Sequence, residues 1–308
     1  MRAFLFPGQG SQSVGMGAAL ADASRTARDV FDEVDEALGQ NLFRLMRDGP
    51  DEELRLTENA QPAIMAHSIA VLRTLGVNVA EVANFVAGHS LGEYSALCAA
   101  GSFDLATTAK LLRLRGQAMQ EAVPVGQGAM AALLGADLAL AREIANTAAE
   151  GEVCTVANDN DPSQVVISGA KGAIDRAVQI AKDMGAKRAV PLPVSAPFHC
   201  PLMQPAAEAM ADALSYVVVQ PPSVPLFANV TAAPTRDPDT IRNQLVAQVT
   251  GMVRWRESVG NMFDAGAHEF VEIGGKVLGA MVKRIAPDAK VASVVTIEDI
   301  EALAKEIS

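Results

Sequence analysis

Short apolar runs alternate with longer segments of helical periodicity over the first part of the chain. The runs RAFLF at 2–6 and NFVAG at 84–88 predict buried strands, with helices between them. After residue 200 the alternation returns, and SVPLFANV at 223–230 and HEFVEIG at 268–274 predict further strands. Strands that alternate with helices in this way favour an α/β architecture.

The stretch from 124 to 196 has a different order of elements. Its pattern predicts a strand at 129–135, a helix at 138–150, strands at 152–158 and 164–169, a helix at 173–185 and a strand at 187–194. This β-α-β-β-α-β order is that of the ferredoxin-like fold, and glycines and prolines punctuate both ends. We therefore predict an inserted domain at 124–196 within a large domain formed by 1–123 and 197–308.

Composition narrows the class of protein. The chain has 308 residues, of which 50% are hydrophobic and 20% charged, so it can bury a large core. A net charge of −11 argues against a nucleic-acid partner. Three dispersed cysteines fit neither a disulfide framework nor a zinc site, but fit a reducing cytoplasm.

Two expectations concern membranes and targeting. No segment approaches the roughly 18 uninterrupted apolar residues that a membrane span needs. The apolar run from Ala3 to Phe6 is too short for the core of a signal peptide. We expect a soluble, cytoplasmic protein.

Ser90 lies in GHSLG, a G-x-S-x-G segment at 88–92 between a predicted strand and a predicted helix. A turn of this kind is sharp and lifts the serine hydroxyl clear of the sheet. Ser90 is therefore a candidate nucleophile. A loop serine flanked by convenient glycines fits the same five residues.

A serine hydroxyl needs a neighbouring base, usually an imidazole. Of the four histidines, His199 lies in the proline-bounded segment VSAPFHCPL, where a loop can present a functional group. His67 fits an apolar helix and His268 precedes a strand. His89 would point away from the elbow. His199 is the candidate base.

The third member of a triad cannot be singled out. Asp159 and Asp161 are possible, in the turn-like NDNDP. A dyad is the alternative, in which a backbone carbonyl or an amide side chain orients the imidazole. Cys200, beside His199, is a rival nucleophile, but without an elbow it is interpreted as a small buried residue.

An acyl-transfer nucleophile also needs donors for the oxyanion, one of which is the N–H after the nucleophile. Leu91 supplies that group. Gln9, in FPGQGSQ, can supply the second, because the glycines on both sides permit close approach. A phosphate loop is excluded, because Ser13 stands where G-x-G-x-x-G requires glycine.

The helix predicted at 104–123 carries an arginine, Arg115, in or at the edge of its apolar sector. A buried guanidinium needs an anion or several acceptors. A protein carboxylate or a substrate carboxylate would satisfy it, or the side chain can snorkel to the surface. A guanidinium that forms two parallel hydrogen bonds with a carboxylate would select an acyl group that ends in one.

Eight sequence blocks are spread in order along nearly the whole chain. They are FPGQGSQ, LTENAQPAI, GHSLGEYSAL, RLRGQAMQ, GAMAALLG, VANDNDPSQVVISG, GAKRAVPLPVSAPFH, and VRW followed by EIGGKVL. Together they resemble the malonyl-CoA:acyl carrier protein transacylases of fatty acid synthesis. The resemblance implies an α/β-hydrolase-like large domain with a ferredoxin-like insertion, and an active site between them.

The resemblance also implies a role for six residues: Ser90 as the nucleophile, His199 as the base, Arg115 as the ligand of the malonyl carboxylate, Gln9 and Leu91 as oxyanion donors, and Gln248 as the residue that orients the histidine through a neutral oxygen. It implies transfer of malonyl from malonyl-CoA to the thiol of acyl carrier protein by a ping-pong mechanism. No metal or organic cofactor is implied, and the family suggests a monomer.

Two other functions fit part of the pattern. A serine esterase or thioesterase shares the nucleophile, the base and the oxyanion donors, but one that acts on neutral acyl chains has no use for Arg115. A non-catalytic subunit that binds carrier protein would not need these residues intact. Lys187 and Arg188 can meet CoA phosphates or an acidic carrier protein, and they fit solvated surface charges equally well.

Overall fold

The computed structural model describes residues 1–194 and 196–307, with the strands divided between two sheets. Ser195, in the predicted insert, and Ser308, at the end of the predicted large domain, lie outside the described residues. The strands are β1 (Arg2–Phe6), β2 (Phe85–Gly88), β3 (Gly128–Leu134), β4 (Cys154–Asp161), β5 (Gln164–Ala170), β6 (Arg188–Pro191), β7 (Leu226–Phe227), β8 (Pro234–Thr235), β9 (Glu269–Ile273) and β10 (Lys290–Val294).

The helices surround both sheets. They are α1 (Ala18–Ala23), α2 (Arg25–Leu38), α3 (Leu42–Asp48), α4 (Asp51–Leu54), α5 (Thr57–Leu75), α6 (Val79–Val82), α7 (Gly92–Ala99), α8 (Leu105–Glu121), α9 (Leu138–Ala149), α10 (Lys171–Ile180), α11 (Gln204–Ser215), α12 (Pro238–Thr250), α13 (Trp255–Asp264), α14 (Leu278–Ile285) and α15 (Ile297–Ile307). A 3-10 turn, Pro201–Met203, precedes α11. None of the helices in the described ranges is both long and apolar enough to cross a membrane.

β1 lies inside the larger sheet, whose order is β10-β9-β1-β2-β7-β8. The strands from β10 to β7 run parallel, and β8 pairs antiparallel with β7 at one edge. Phe4 and Phe6 pack in one hydrophobic cluster with α2, α5 and α8, whereas Ala3 and Leu5 pack in another with α13 and α14. The strand is buried on both faces, which explains its continuously apolar sequence.

The smaller sheet contains the four strands predicted for the insert. Its order is β4-β5-β3-β6, every pairing is antiparallel, and α9 and α10 pack against it around a separate core. The predicted fold class, an α/β large domain with a ferredoxin-like insertion, is confirmed. The limits at 124 and 196 stay a prediction.

Two predicted strands are shorter than expected. The strand predicted at 223–230 is confined to Leu226–Phe227, because the chain then turns and the backbone N–H of Asn229 donates to the Glu93 carboxylate at 2.9 Å. The last strand of the insert ends at Pro191, because Pro193 has no N–H to continue the ladder.

The end of β4 joins the small domain to the large one. Asp159 accepts from Arg256 of α13, at 3.0 Å from Nε and 2.8 Å from Nη2. Asp161 accepts from Arg284 of α14 at 2.8 Å. The interpretation of these aspartates as possible partners of His199 is therefore wrong, because arginines distant in sequence hold both carboxylates.

The pair between Asp159 and Arg256 generates a test of the domain junction. Asp159 is fully buried, whereas the Arg256 side chain is 36% exposed, which limits the cost of breaking the pair. Arg256→Met leaves a buried carboxylate without its cation, so we expect the free energy of unfolding to fall by about 1–3 kcal/mol in urea titrations. Arg47→Met, which breaks an exposed pair with Asp48, is the control and should have little effect. Equal effects of the two substitutions would contradict this account.

Candidate active site

Ser90 lies on a sharp turn between β2 and α7, with φ at 53°. A residue other than glycine in this left-handed region stores about 1–3 kcal/mol of strain. The flanking glycines permit the turn, because a Cβ at Gly88 would lie 1.9 Å from the backbone of Gly92, and one at Gly92 would lie 2.2 Å from the Phe6 carbonyl oxygen. The G-x-S-x-G segment thus forms the elbow expected from the sequence.

His199 meets the serine from the loop between β6 and α11. Its Nε2 lies 2.8 Å from the Ser90 Oγ. Its Nδ1 lies 2.9 Å from the backbone oxygen of Gln248 and 3.1 Å from that of Gly251. Carbonyl oxygens only accept, so the proton lies on Nδ1 and Nε2 is free to accept the serine proton. A neutral backbone oxygen therefore orients the imidazole, as in the dyad alternative.

The surroundings of His199 keep it uncharged. Burial and the positive charge of Arg115 lower the pKa of the imidazole to about 3, against the opposite effect of the two carbonyl hydrogen bonds. The side chain is consequently a free base throughout the neutral range. A base that is already deprotonated can take the serine proton.

Arg115 is 1% exposed and projects from α8 toward the same serine. Its Nη2 donates to the Ser90 Oγ at 3.0 Å and to the Gln248 Oε1 at 2.8 Å. Its Nη1 donates to the Gln61 Oε1 at 2.7 Å. The guanidinium also lies 5.7 Å from the centre of the Tyr94 ring, within cation–π range. All of these oxygen acceptors are uncharged, so the buried cation can still attract an anion.

A buried network of polar side chains forms hydrogen bonds with Ser90 and Arg115. Gln248, in the last turn of α12, donates through Nε2 to the Ser90 backbone oxygen at 3.0 Å and to the Glu93 Oε2 at 3.0 Å. Asn229 accepts the Ser90 N–H through Oδ1 at 2.8 Å. Burial raises the pKa of Glu93 to about 7, although hydrogen bonds from Asn229 and Gln248 and the charge of Arg115 lower it.

Four residues of this site were not predicted from the sequence: Gln61, Glu93, Asn229 and Gly251. A signal existed for two of them. Gln61 and Glu93 are polar residues in helices whose residues are mostly buried. A polar side chain with apolar neighbours on all sides of a helix indicates a buried hydrogen-bond network.

The candidate oxyanion donors lie at the carboxyl ends of neighbouring strands. Leu91 follows β2, and Gln9 lies in the loop after β1. A Cβ at Gly8 would lie 2.7 Å from the His89 carbonyl oxygen, so glycine permits this loop to approach the elbow. Within the described residues, the backbone N–H groups of Gln9 and Leu91 donate no hydrogen bond. Both groups are available to a ligand.

A cavity of about 280 Å³ opens between the two domains. The large domain contributes five predicted site residues to its lining: Gln9, Ser90, Leu91, Arg115 and His199. The small domain contributes Met130 and Asn158, and Leu192 follows its last strand. Gln248 is fully buried behind this lining. One cavity therefore brings together residues from distant parts of the chain.

Among the described residues, no other histidine hydrogen-bonds to the Ser90 hydroxyl, although His89 also lines the cavity. The Nε2 of His89 lies 2.8 Å from the Asn160 Oδ1, and the ring turns away from Ser90. His67 is buried in α5, where burial lowers its pKa to about 4, and His268 is exposed. The part of the chain that the structure describes holds no cluster of three metal-ligating side chains of the His, Cys, Asp or Glu type.

The remaining candidates lie outside the cavity. Cys200 is fully buried, its thiol donates to the Pro197 carbonyl oxygen at 3.1 Å, and burial raises its pKa. A buried thiol with a raised pKa is a poor nucleophile. Lys187 and Arg188 are exposed at the edge of the small domain.

The acyl transferase domain family has a sequence model that matches residues 3–297. The chain belongs to this family. The malonyl CoA-acyl carrier protein transacylase of Escherichia coli (strain K12) is 46% identical over 284 residues, which are 92% of each chain. The resemblance noted in the sequence is confirmed.

Solved structures resemble this acyl transferase domain over its whole length. The acyl-carrier-protein-S-malonyltransferase of Bartonella henselae is 52% identical, with a TM-score of 0.97 over 99% of both chains. A type II PKS acyl-carrier protein in complex with its malonyl-transacylase matches with 40% identity and a TM-score of 0.96, again over 99% of both chains.

The depressed pKa of His199 generates a pH prediction. Phosphonylation of Ser90 by a fluorophosphonate requires the free base, so its rate should show no inflection near pH 6.5 and should fall only at much lower pH. Arg115→Ala removes a positive charge that disfavours the imidazolium, so the pKa of His199 rises and the acid limb moves to higher pH. The measurement is the second-order rate constant between pH 4 and 8. An inflection near 6.5 that persists in Glu93→Gln, which removes the neighbouring carboxyl group with a pKa of about 7, would contradict the assignment.

Proposed function

We propose that this protein transfers the malonyl group from malonyl-CoA to the phosphopantetheine thiol of acyl carrier protein and thereby supplies fatty acid elongation. The observation that carries the proposal is the contact of Arg115 with Ser90 at 3.0 Å inside one cavity. A buried cation beside a serine nucleophile fits an acyl group that itself carries a negative charge. The names of the relatives support the same reaction.

The first half of the proposed reaction loads the serine. Ser90 attacks the thioester carbonyl while His199 takes the hydroxyl proton on Nε2. The oxyanion accepts hydrogen bonds from the N–H groups of Leu91 and Gln9. The C–S bond then breaks, and the CoA sulfur leaves with the proton from His199. The product is malonyl-Ser90.

The second half of the proposed reaction transfers the malonyl group from Ser90 to the carrier protein. The thiol of the carrier protein enters the site that CoA has left and gives its proton to His199 as its sulfur attacks the ester carbonyl. The same N–H groups hold the second oxyanion. When the bond to the Ser90 Oγ breaks, the serine recovers its proton from His199. Malonyl leaves as a thioester of the carrier protein, and the enzyme returns to its starting state.

Selection of malonyl follows from the position of Arg115. A single methylene group separates the malonyl carboxylate from the acyl carbonyl. The carboxylate must therefore lie close to the ester oxygen of Ser90. Arg115 already lies there, held by the amide oxygens of Gln61 and Gln248. When the serine is acylated, the Nη2 donor exchanges the hydroxyl for a carboxylate, which forms a stronger, charge-assisted bond. An esterase for uncharged acyl groups would gain nothing from a cation buried at this point.

The reaction needs no metal or organic cofactor, because the serine, the imidazole, the backbone amides and the guanidinium supply every step. We propose that carrier protein is the macromolecular partner, that nucleic acid and membrane are not, and that the protein acts as a cytoplasmic monomer. The inserted domain at 124–196 would form one wall of the cleft.

The proposal predicts a covalent adduct. Incubation of the protein with malonyl-CoA should raise its intact mass by one malonyl group, because the acyl-enzyme is an obligatory intermediate. Holo acyl carrier protein should then remove the group and acquire the same mass. Ser90→Ala is the matched control and should stay unmodified. A wild-type protein that hydrolyses malonyl-CoA without loading the carrier would point to a thioesterase, and an adduct that persists in Ser90→Ala would exclude Ser90 as the nucleophile.

A further inference from the structure

Glu93 is a fully buried carboxylate next to the active site, and the proposed reaction gives it no chemical step. It lies in the first turn of α7, three residues after Ser90. Its Oε2 accepts from the backbone N–H of Asn229 at 2.9 Å and from the Gln248 Nε2 at 3.0 Å. Its Oε1 has no hydrogen-bond partner within the described residues. A buried carboxylate is costly, so its two bonds need an explanation.

The bond to Gln248 decides which way that amide faces. A glutamine side chain presents an acceptor on one side and two donors on the other, and the two orientations have nearly the same shape. Glu93 and the Ser90 carbonyl, at 3.0 Å each, and the Asn229 Oδ1, at 3.3 Å, all present oxygen to the Gln248 Nε2. Reversal of the amide would place its oxygen against these three acceptors. Glu93 contributes the carboxylate of this set, and its Oε2 also holds Asn229 through the backbone N–H.

The orientation of Gln248 in turn decides what Arg115 meets. With its NH₂ group toward Glu93, Gln248 directs Oε1 at the Arg115 Nη2, at 2.8 Å. The reversed amide would present donors to a guanidinium that has only donors. Arg115 would then lose one of the two amide oxygens that hold it beside the Ser90 Oγ. The path from Glu93 to Arg115 is two hydrogen bonds long.

The negative charge of Glu93 also stabilises the charged form of Arg115. Burial lowers the pKa of Arg115, and the neighbouring Tyr94 and Glu93 counteract this effect. The orienting effect does not require ionisation, however. A proton on Glu93 would occupy Oε1, which has no partner, and Oε2 would still accept from Gln248 and Asn229. The orientation of the amide is therefore kept in both states.

We propose that Glu93 is a positioning residue for recognition of the acyl carboxylate, because its carboxylate, with the Ser90 and Asn229 oxygens, holds the Gln248 amide in the orientation that directs Arg115 to the nucleophile. This inference rests on the proposed function and adds a determinant of acyl selectivity to it. Glu93 touches neither the substrate nor the reacting atoms. Its effect should therefore appear in the choice between a charged and an uncharged acyl group.

The test compares two substitutions that differ in one property. Glu93→Gln keeps an oxygen for Gln248 and Asn229, whereas Glu93→Met has a similar length and no acceptor. The measurement is kcat/KM for acylation of Ser90 by malonyl-CoA divided by that for acetyl-CoA, followed by intact mass. This ratio is independent of the fraction of folded enzyme, so a merely structural role would leave it unchanged. If Glu93→Met does not fold, Glu93→Ala replaces it, because alanine also lacks an acceptor.

We expect the ratio to fall about ten-fold in Glu93→Met, because one lost hydrogen bond to a charged group is worth roughly this factor. In Glu93→Gln the ratio should stay within about three-fold of wild type, because the acceptor is kept. In an Arg115→Ala background, Glu93→Met should change the ratio no further, because its effect passes through Arg115. An unchanged ratio in Glu93→Met, an equal loss in Glu93→Gln, or additive losses with Arg115→Ala would each overturn the inference. Failure of the proposed function would appear separately, as wild-type protein that malonyl-CoA does not acylate.

Discussion

The hydrogen bond between the buried guanidinium of Arg115 and the hydroxyl of Ser90 connects acyl recognition to catalysis in the proposed reaction. A cation can be buried only if acceptors surround it, and here amide and hydroxyl oxygens do so without neutralising it. Two consequences follow from that residual charge. It helps to keep His199 unprotonated, and it gives an incoming carboxylate a partner beside the nucleophile. In the proposed reaction, selectivity for a charged acyl group and activation of the serine therefore depend on the same side chain.

The large sheet makes this convergence possible. β1, β2 and β7 are neighbouring parallel strands, so their carboxyl ends lie at one edge of the sheet. Gln9, Ser90 and Asn229 follow these three strands, and ligands of open α/β sheets bind at this edge. His199 and Arg115 come from outside the sheet and complete the site. The small domain covers it, held by the buried aspartates at the end of β4.

Local signals in the sequence were sufficient for some of these features. The elbow around Ser90 and the β-α-β-β-α-β order need only short-range patterns, and Arg115 stood out because it interrupts the apolar face of one helix. Partners that depend on tertiary contacts could not be predicted in this way. Asn229 lies 139 residues from Ser90 along the chain, and Arg256 lies 97 residues from Asp159. Nothing in the NDNDP segment indicates that distant arginines hold its aspartates, and the family resemblance, not the local pattern, led to Gln248.

The most direct test of the central claim is a crystal structure of the enzyme with malonyl bound to Ser90. We expect the malonyl carboxylate to bind the guanidinium of Arg115, with N–O distances of about 2.8 Å. We also expect the ester carbonyl oxygen to lie between the N–H groups of Gln9 and Leu91. A malonyl group whose carboxylate points into solvent, while Arg115 keeps only its bonds to Gln61 and Gln248, would contradict the role proposed for Arg115.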